Sequence, residues 1–259
     1  MRAKGFSFHI SRLVALIQMS EPEIIYENPD FIAVDKPAGL QVHPAKVRVQ
    51  RLKSFSADPT LVDWLLERYP EIKSVGDDPE TRPGIVHRLD KGTSGILLIA
   101  RSQKYFEYLK SLFQKHEIQK TYLALASGKL MPQSGIIDKP IGIKNGTLKR
   151  SVHSEKMAKE AVTEYQAKKY LSDSSGKVFS LVEVMPKTGR THQIRVHLAS
   201  VGHAIVGDAL YGSKKKKEVV RLMLHAASLE FTTMERKRAR FEAEPPEDFE
   251  RVLSQLQEE

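Results

Sequence analysis

Apolar positions along the chain follow two periods, which divide it into short strands and a few helices. Alternating or short apolar runs predict strands at residues 23–27, 31–35, 96–100, 120–127, 162–170, 178–185 and 222–231. Helical spacing predicts helices at 60–69, 102–116 and 193–200, and a short acidic helix after Pro245-Pro246. Ser102 and Thr191 have the side chains of helix-capping residues. With no repeat or long linker, the pattern indicates an α+β fold with many strands.

Charge is distributed unevenly over the 259 residues. Lys and Arg number 41 against 32 acids, a net charge of +9. Residues 242–259 hold seven acids and one base, so residues 1–241 carry 40 minus 25, or +15. A basic body without a long apolar span indicates nucleic acid as the partner rather than a membrane. The alternative is that the charge serves only solubility.

Cysteine is absent from the sequence, which excludes disulfides, thiolate nucleophiles and cysteine-ligated metals. This composition fits a reducing cytoplasm. The histidines of the 188–200 segment could indicate a metal site. His192 and His197 are five residues apart, which places them roughly 140° apart around a helix and prevents them from sharing an ion. We therefore expect no metal.

The central segment is 84–101, where a polar loop carrying Asp90 leads into the apolar strand at 96–100. The small residues 93–95 favour a tight turn between them. A loop fixed on a core strand suits a catalytic carboxylate. The alternative is that Asp90 caps a turn and pairs with Arg88 on the surface. Tyr122 likewise could simply pack, although its small neighbours on the same strand face leave room for a flat ligand.

Several motifs together resemble those of the RluA-type RNA pseudouridine synthases. They occur in the family's order and extend roughly from residue 23 to residue 246. The matching stretches are Lys36-Pro-Ala-Gly-Leu-Gln-Val-His43-Pro44, Gly84 to Arg101 with His-Arg-Leu-Asp90, Lys120-Thr-Tyr122-Leu-Ala, Thr188-Gly-Arg-Thr-His-Gln-Ile-Arg195-Val-His-Leu, Gly202-His-Ala-Ile-Val-Gly-Asp208 and Arg221-Leu-Met-Leu-His225-Ala.

The resemblance implies a single catalytic domain at residues 21–259, built on a long, mostly antiparallel mixed sheet with flanking helices and an RNA-binding cleft across it. Residues 1–20 are then an N-terminal extension, too short for the separate RNA-binding module that many relatives carry. The implied activity is isomerisation of specific uridines in structured RNA, ribosomal or transfer RNA, to pseudouridine. We expect a cytoplasmic monomer that needs no cofactor, membrane or obligatory protein partner.

The resemblance also assigns roles to residues. Asp90 matches the catalytic aspartate, Tyr122 the tyrosine beneath the uracil and Arg195 the arginine paired with the aspartate. The residues expected to contact substrate or RNA are Arg88, Leu224, Arg190, His87 and Lys36. Arg88 would enter the space left by the flipped nucleotide, Leu224 would form an apolar wall, and Arg190 would lie near neighbouring loops or phosphates. Lys36, together with His43, would mainly support the site. The basic segment 142–159 is expected to be a surface loop contacting phosphates, and the basic clusters Lys214–Lys217 and Glu235–Arg240 to be solvated faces.

The chemistry fits this set of residues without a cofactor. Moving uracil from nitrogen to carbon attachment requires glycosidic cleavage, rotation of the freed base and rejoining through C5, with no redox change. An ionised aspartate can attack the sugar or the base, or remove a proton, and a neighbouring arginine favours the carboxylate form. A stacked tyrosine could assist the final loss of a proton.

Two alternatives remain open. A catalytically inactive RNA-binding module would keep the basic surface without needing the three catalytic residues, all of which are present. A glycosidase would need a second carboxylate opposite the first, and no other acid stands in so marked a motif.

Overall fold

The structure is a computed structural model that describes residues 21–44, 59–144, 149–212 and 221–259. The N-terminal extension, the Asn145-Gly146 turn and the Lys214–Lys217 cluster lie outside these ranges. The strands are β1 (Glu23–Glu27), β2 (Phe31–Lys36), β3 (Ser94–Ala100), β4 (Gln119–Ser127), β5 (Ser134–Asp138), β6 (Gly142–Ile143), β7 (Arg150–Ser151), β8 (Val162–Ser172), β9 (Val178–Pro186), β10 (Leu224–Thr232), β11 (Arg238–Glu242) and β12 (Gln257–Glu258). The helices are α1 (Leu61–Arg68), α2 (Gln103–Gln114), α3 (Gln193–Ser200) and α4 (Glu247–Leu253).

One large sheet organises the described residues. Its strand order from edge to edge is β1-β2-β3-β10-β4-β9-β8-β12, while β11 pairs with β10 and β5 with β8. The pairing of β10 with β3 is parallel, and the neighbouring pairs, such as β2 with β3 and β4 with β9, are antiparallel. The predicted α+β fold on a mostly antiparallel mixed sheet is therefore confirmed.

The helices cover the sheet in two groups, which gives the protein two main apolar clusters. α1 and α2 pack on β2 and β3, with Leu65 and Leu109 fully buried among them. α3 and α4 pack over β4, β8 and β9, where Leu198 and Phe249 are fully buried. Burial of a large apolar side chain contributes about 1.5–3 kcal/mol. No helix among the described residues is long and apolar enough to cross a membrane.

A glycine allows the parallel contact at the centre of the sheet. Gly95 has a φ of +110°, and a Cβ there would lie 2.3 Å from the carbonyl oxygen of Ala226 on β10. The prediction of a tight turn at residues 93–95 was wrong, because β3 already begins at Ser94. The turn is formed by residues 90–93, where the N–H of Thr93 donates to the carbonyl of Asp90. The loop that carries Asp90 thus ends at the middle of the sheet.

Three other sequence predictions need correction. The cluster at 235–240 is not only a solvated face, because its second half enters β11 and pairs with β10. The 142–159 segment contains the short pair β6–β7. Helix α3 is not capped by Thr191, since the residue before its first turn is His192, in the left-handed conformation and without a capping side-chain bond.

Candidate active site

A cleft of about 640 Å³ opens at the centre of the sheet, where the Asp90 loop, β4, β10 and the start of α3 meet. Its volume lies in the range of ordinary ligand sites. Of the eight residues predicted to serve the site, seven line this cleft: His87, Arg88, Asp90, Tyr122, Arg190, Arg195 and Leu224. The sheet therefore brings together side chains that are up to 137 positions apart in sequence, from His87 to Leu224.

Asp90 and Arg195 form the predicted pair. Nη1 of Arg195 donates to Oδ2 of Asp90 at 2.8 Å. The guanidinium also donates twice to a second carboxylate, with Nε at 2.7 Å from Oδ2 of Asp208 and Nη2 at 2.9 Å from Oδ1. One buried cation is thus shared between two aspartates.

The environment fixes the charge of this cluster. Burial alone would lower the pKa of Arg195, but its bonds to Asp208 and Asp90 raise it instead. Burial would raise the pKa of Asp208, but Arg195 and the N–H groups of Leu210 and Tyr211 hold it below its usual value. The Asp208 side chain is fully buried, whereas the Asp90 side chain is 19% exposed. Asp208 therefore anchors the arginine, and Asp90 is the carboxylate that a ligand can reach.

The loop before α3 is shaped by one glutamine. Oε1 of Gln193 accepts from the hydroxyl of Thr188 and from the N–H of Arg190, and its amide nitrogen donates to Val162 and Thr163. These bonds tie the loop to β8 and set the start of the helix. Arg195 follows two residues later and points into the cleft.

Two apolar side chains form the wall beside Asp90. Tyr122 on β4 pairs in register with Ala226 of β10, and Leu224 lies on the same strand, two residues earlier. Both line the cleft. Burial, and then the charge of Asp90, raise the pKa of Tyr122. The phenol therefore stays protonated at neutral pH and offers a flat surface to a base.

His87 and Lys120 also line the cleft. Nε2 of His87 accepts from the N–H of Leu98, and the imidazole stacks on Phe113 with 4.3 Å between ring centroids. Burial, with a contribution from Lys120, lowers the pKa of His87 to about 3. Burial also lowers the pKa of Lys120 to about 8. His87 is therefore neutral, and its remaining ring nitrogen, Nδ1, carries the proton.

Lys36 does not occupy the position predicted for it. It is fully buried and does not line the cleft, so as placed it cannot contact RNA. Its ammonium donates to the carbonyls of Pro37 and Leu40 and lies 3.5 Å from that of Lys91. The N–H of Gly39 also donates to Lys91. Lys36 thus ties the first motif to the loop of Asp90.

The histidines of α3 make bonds of other kinds. His197 is fully buried, with Nδ1 at 2.8 Å from Oγ1 of Thr163 and Nε2 at 3.0 Å from the carbonyl of Lys139. His192 faces the cleft, with Nδ1 at 2.9 Å from the hydroxyl of Tyr211. Within the described ranges, no three His, Asp or Glu side chains are grouped as metal ligands.

Sequence reasoning gave no role to Asp208 or Tyr211, and considered His192 only as a metal ligand. All three surround the Asp90–Arg195 pair. A usable signal was present in the sequence, because Gly207-Asp208 and Tyr211-Gly212 place an acid and a phenol among small residues typical of a tight loop. The acid is also close to the apolar run 204–206, where an unpaired charge would be costly.

Comparison with known proteins identifies the family of the chain. The family model described as RNA pseudouridylate synthase matches residues 30–200. Ribosomal large subunit pseudouridine synthase D of Zymomonas mobilis is 36% identical over 250 residues, which cover 90% of this chain and 72% of that protein. The protein of the same name from Pseudomonas aeruginosa is 33% identical over 258 residues, covering 94% and 74%.

Solved structures have the same fold. Human RNA Pseudouridylate Synthase Domain Containing 1 superposes with a TM-score of 0.73 at 25% sequence identity, covering 93% of this chain and 90% of that one. Human RNA Pseudouridylate Synthase Domain Containing 4 superposes with a TM-score of 0.68 at 24% identity, covering 91% and 94%, which supports the fold. The resemblance to the RluA-type synthases is confirmed, and the chain belongs to the family of RNA pseudouridine synthases, the isomerases that convert uridine in RNA to pseudouridine.

Proposed function

We propose that this protein converts specific uridines of ribosomal or transfer RNA to pseudouridine, with Asp90 as the nucleophile acting on a nucleotide flipped out of its helix. The observation that carries the proposal is the Asp90 carboxylate, held at 2.8 Å by Arg195 inside a cleft of about 640 Å³. Ribosomal RNA is the first candidate, because two of the similar proteins carry the words ribosomal large subunit in their names. The proposal includes a cytoplasmic monomer that needs no cofactor.

Base flipping follows from where Asp90 lies. The carboxylate is in the cleft and only 19% exposed, so a nucleotide stacked in a helix cannot reach it. A flipped uridine can enter between Tyr122 and Leu224 and place its sugar against Asp90. Arg88 is exposed at the cleft edge, where it can fill the gap that the nucleotide leaves.

The reaction steps then correspond to particular side chains. Asp90 attacks C1′ of the ribose as an anion, and the N1–C1′ bond breaks with its electron pair left on the uracil. The freed uracil rotates while it is held against Tyr122, and its C5 then attacks C1′ and displaces the Asp90 carboxylate. The released carboxylate takes the C5 proton and passes it to solvent, while N1 gains a proton from water. Apolar walls on one side and the bound RNA on the other keep water from the reactive sugar.

The second acid of the cleft does not support a glycosidase. Among the described residues, Asp77 and Asp90 are the acids that line the cleft, and Asp77 is bonded to Lys110 at 2.8 Å. Asp208 is fully buried and holds Arg195. Neither carboxylate is presented as the partner that a glycosidase requires opposite the first.

Basic side chains continue from the cleft into a smaller cavity of about 280 Å³. The two cavities share residues 189–191, and Arg150 and Lys159 line the smaller one. Nε of Arg190 donates to the carbonyl of Glu160, which holds its guanidinium between the cavities. An RNA strand that leaves the cleft on this side would place phosphates near these cations.

The proposal is tested by incubating the protein with ribosomal and transfer RNA transcripts that carry tritium at C5 of uridine. Tritium release without added metal or nucleotide supports the synthase, and the transcript that releases it identifies the substrate class. Binding of RNA without release would instead support the inactive RNA-binding module. Release from neither transcript, with no binding, would contradict both.

Arg190→Gln is expected to weaken RNA binding without changing the chemistry. Each lost phosphate contact reduces the slope of log K against log salt by about 0.7–0.9. The slope is measured by fluorescence anisotropy of labelled RNA over a range of potassium chloride concentrations. Lys168→Gln is the matched control, because Lys168 lies on β8 and lines neither cavity. An equal slope for Arg190→Gln and wild type would contradict the phosphate contact.

A further inference from the structure

His192 has an unusual backbone conformation for a residue beside a catalytic carboxylate. Its φ and ψ are 57° and 21°, in the left-handed region, which costs energy for any residue with a side chain. This conformation lets the imidazole face the cleft, where Nε2 lies 3.8 Å from Oδ1 of Asp90. Strain held at such a position indicates a role for the side chain.

The two oxygens of Asp90 have different surroundings. Oδ2 accepts the hydrogen bond of Arg195 at 2.8 Å. Oδ1 faces His192 at 3.8 Å, which is longer than a hydrogen bond. Oδ1 is therefore the oxygen that can still move and react, and His192 is the group next to it.

Tyr211 determines which nitrogen of His192 carries the proton. The N–H of Arg150 donates to the Tyr211 hydroxyl at 2.9 Å, so the phenol oxygen acts as an acceptor there. The phenol proton is then directed to the second neighbour of the hydroxyl, Nδ1 of His192, also at 2.9 Å. With Nδ1 accepting, a neutral imidazole carries its proton on Nε2, which points at Asp90.

Charges on every side of the imidazole affect its protonation. These are Asp90 on its loop, Arg195 on α3, Asp208 on the following loop and Arg150 on β7. Burial, assisted by Arg195, lowers the pKa of His192 although Asp90 raises it. The neutral form therefore persists below pH 6.5, the ordinary value for histidine.

We propose that His192 is a positioning residue of the reaction: its Nε2–H, in the tautomer set by Tyr211, attracts Oδ1 of Asp90 across 3.8 Å and closes to a hydrogen bond when the flipped nucleotide is bound, which makes Oδ1 the oxygen that reacts. This inference rests on the proposed function, in which Asp90 is the nucleophile. It adds which oxygen reacts and which side chains direct it. Tyr211 also helps to hold Arg195, since its ring centroid lies 5.3 Å from the guanidinium carbon of that residue.

Three variants test the proposal through turnover of tritiated RNA. His192→Ala removes the donor and is expected to lower kcat roughly a hundredfold, because a misplaced reacting atom costs about that factor. Tyr211→Phe keeps the ring over Arg195 but frees the tautomer, and is expected to lower kcat about tenfold. His192→Gln, whose amide can replace Nε2–H, is expected to recover most of the activity. KM should stay within about threefold in all of them.

The pH profile provides a readout that a merely structural role would not change. In the wild type, protonation of His192 keeps the Nε2–H but places a cation next to Oδ1 of Asp90, which lowers the nucleophilicity of that oxygen, so kcat falls on the acid side, below pH 6.5. His192→Gln has no titrating group there, and its acid limb should move to lower pH. Tyr170→Phe is the control for loss of a phenol, since the Tyr170 hydroxyl donates to the carbonyl of Leu130 and lines neither cavity.

The outcomes separate this inference from the proposed function. If Asp90→Asn is inactive while His192→Ala keeps kcat within about twofold of wild type, the inference fails and the proposed function stands. A loss confined to KM would place His192 in substrate binding and would also overturn it. An unchanged acid limb in His192→Gln has the same meaning. If Asp90→Asn remains active, the proposed function itself fails.

Discussion

Replacing Asp90 with asparagine is expected to lower tritium release by a factor on the order of 10⁴–10⁶, the usual loss when a nucleophile is removed. An amide has nearly the same size as the carboxylate, and its oxygen can still accept from Nη1 of Arg195. The amide cannot attack, because it carries no negative charge. RNA affinity should change less than threefold, since binding depends on basic side chains such as Arg190.

Asp77→Asn is the matched control for this experiment. Asp77 lines the same cleft but is already paired with Lys110, and its turnover should stay near that of wild type. Single-turnover rates with tritiated RNA and anisotropy titrations with the same RNA measure both quantities. Near-normal turnover by Asp90→Asn would refute the nucleophile, and a large loss of affinity would mean that Asp90 acts in binding.

Much of the fold could be predicted from local patterns. The buried strand β3 and the helix α2, with Ser102 as its cap, follow from apolar runs and a capping residue at the expected positions. β11 could not be recognised in this way, because it is a short strand with charged side chains on its exposed positions, and only its pairing with β10 makes it a strand. The left-handed start of α3 depends likewise on Gln193 bonds to other segments.

The candidate site could likewise be predicted only in part from the sequence. A motif match was enough to assign Asp90, Tyr122 and Arg195 to one site, and the structure brings all three to one cleft. The sequence could not indicate that Arg195 would serve two carboxylates, because Asp208 is thirteen residues further on and only the fold turns it back toward α3. The sequence also could not indicate that Lys36 would be buried and bonded to backbone carbonyls. Its place in a family motif is compatible with an RNA contact, and only the fold shows that Lys36 does not line the cleft.

Arg195→Ala is expected to be both inactive and unstable, because the arginine joins Asp90 to the buried Asp208. Removing one partner of a buried ion pair costs about 3–5 kcal/mol, since the other charge stays buried without compensation. Urea denaturation followed by circular dichroism measures this loss. Turnover should fall by roughly 10³-fold or more, because Oδ2 of Asp90 loses its donor as well.

The double variant Arg195→Met/Asp208→Leu separates the two effects. Replacing both buried charges with apolar side chains should restore part of the stability, because no unpaired charge is left, although the N–H groups of Leu210 and Tyr211 lose their acceptor. Turnover should stay as low as in Arg195→Ala. Recovery of activity together with stability would show that Arg195 matters only for folding. The stability of the single variant Asp208→Asn is expected to lie between that of Arg195→Ala and that of the double variant, because the amide can still accept from the guanidinium.

Acid pH should reduce the stability difference between wild type and Arg195→Ala. The pKa of Asp208 is lowered in the folded state from 3.8, mainly by Arg195 acting against burial. Its contribution is therefore fully present above pH 3.8 and is lost as the pH falls through the folded value. Without Arg195 the buried Asp208 carboxyl protonates at a higher pH, and protonation removes the free-energy cost of a buried, unpaired charge. Urea titrations at pH 7 and near pH 4 should show the larger difference at pH 7, and an equal difference at both would mean that the loss comes from packing instead of charge.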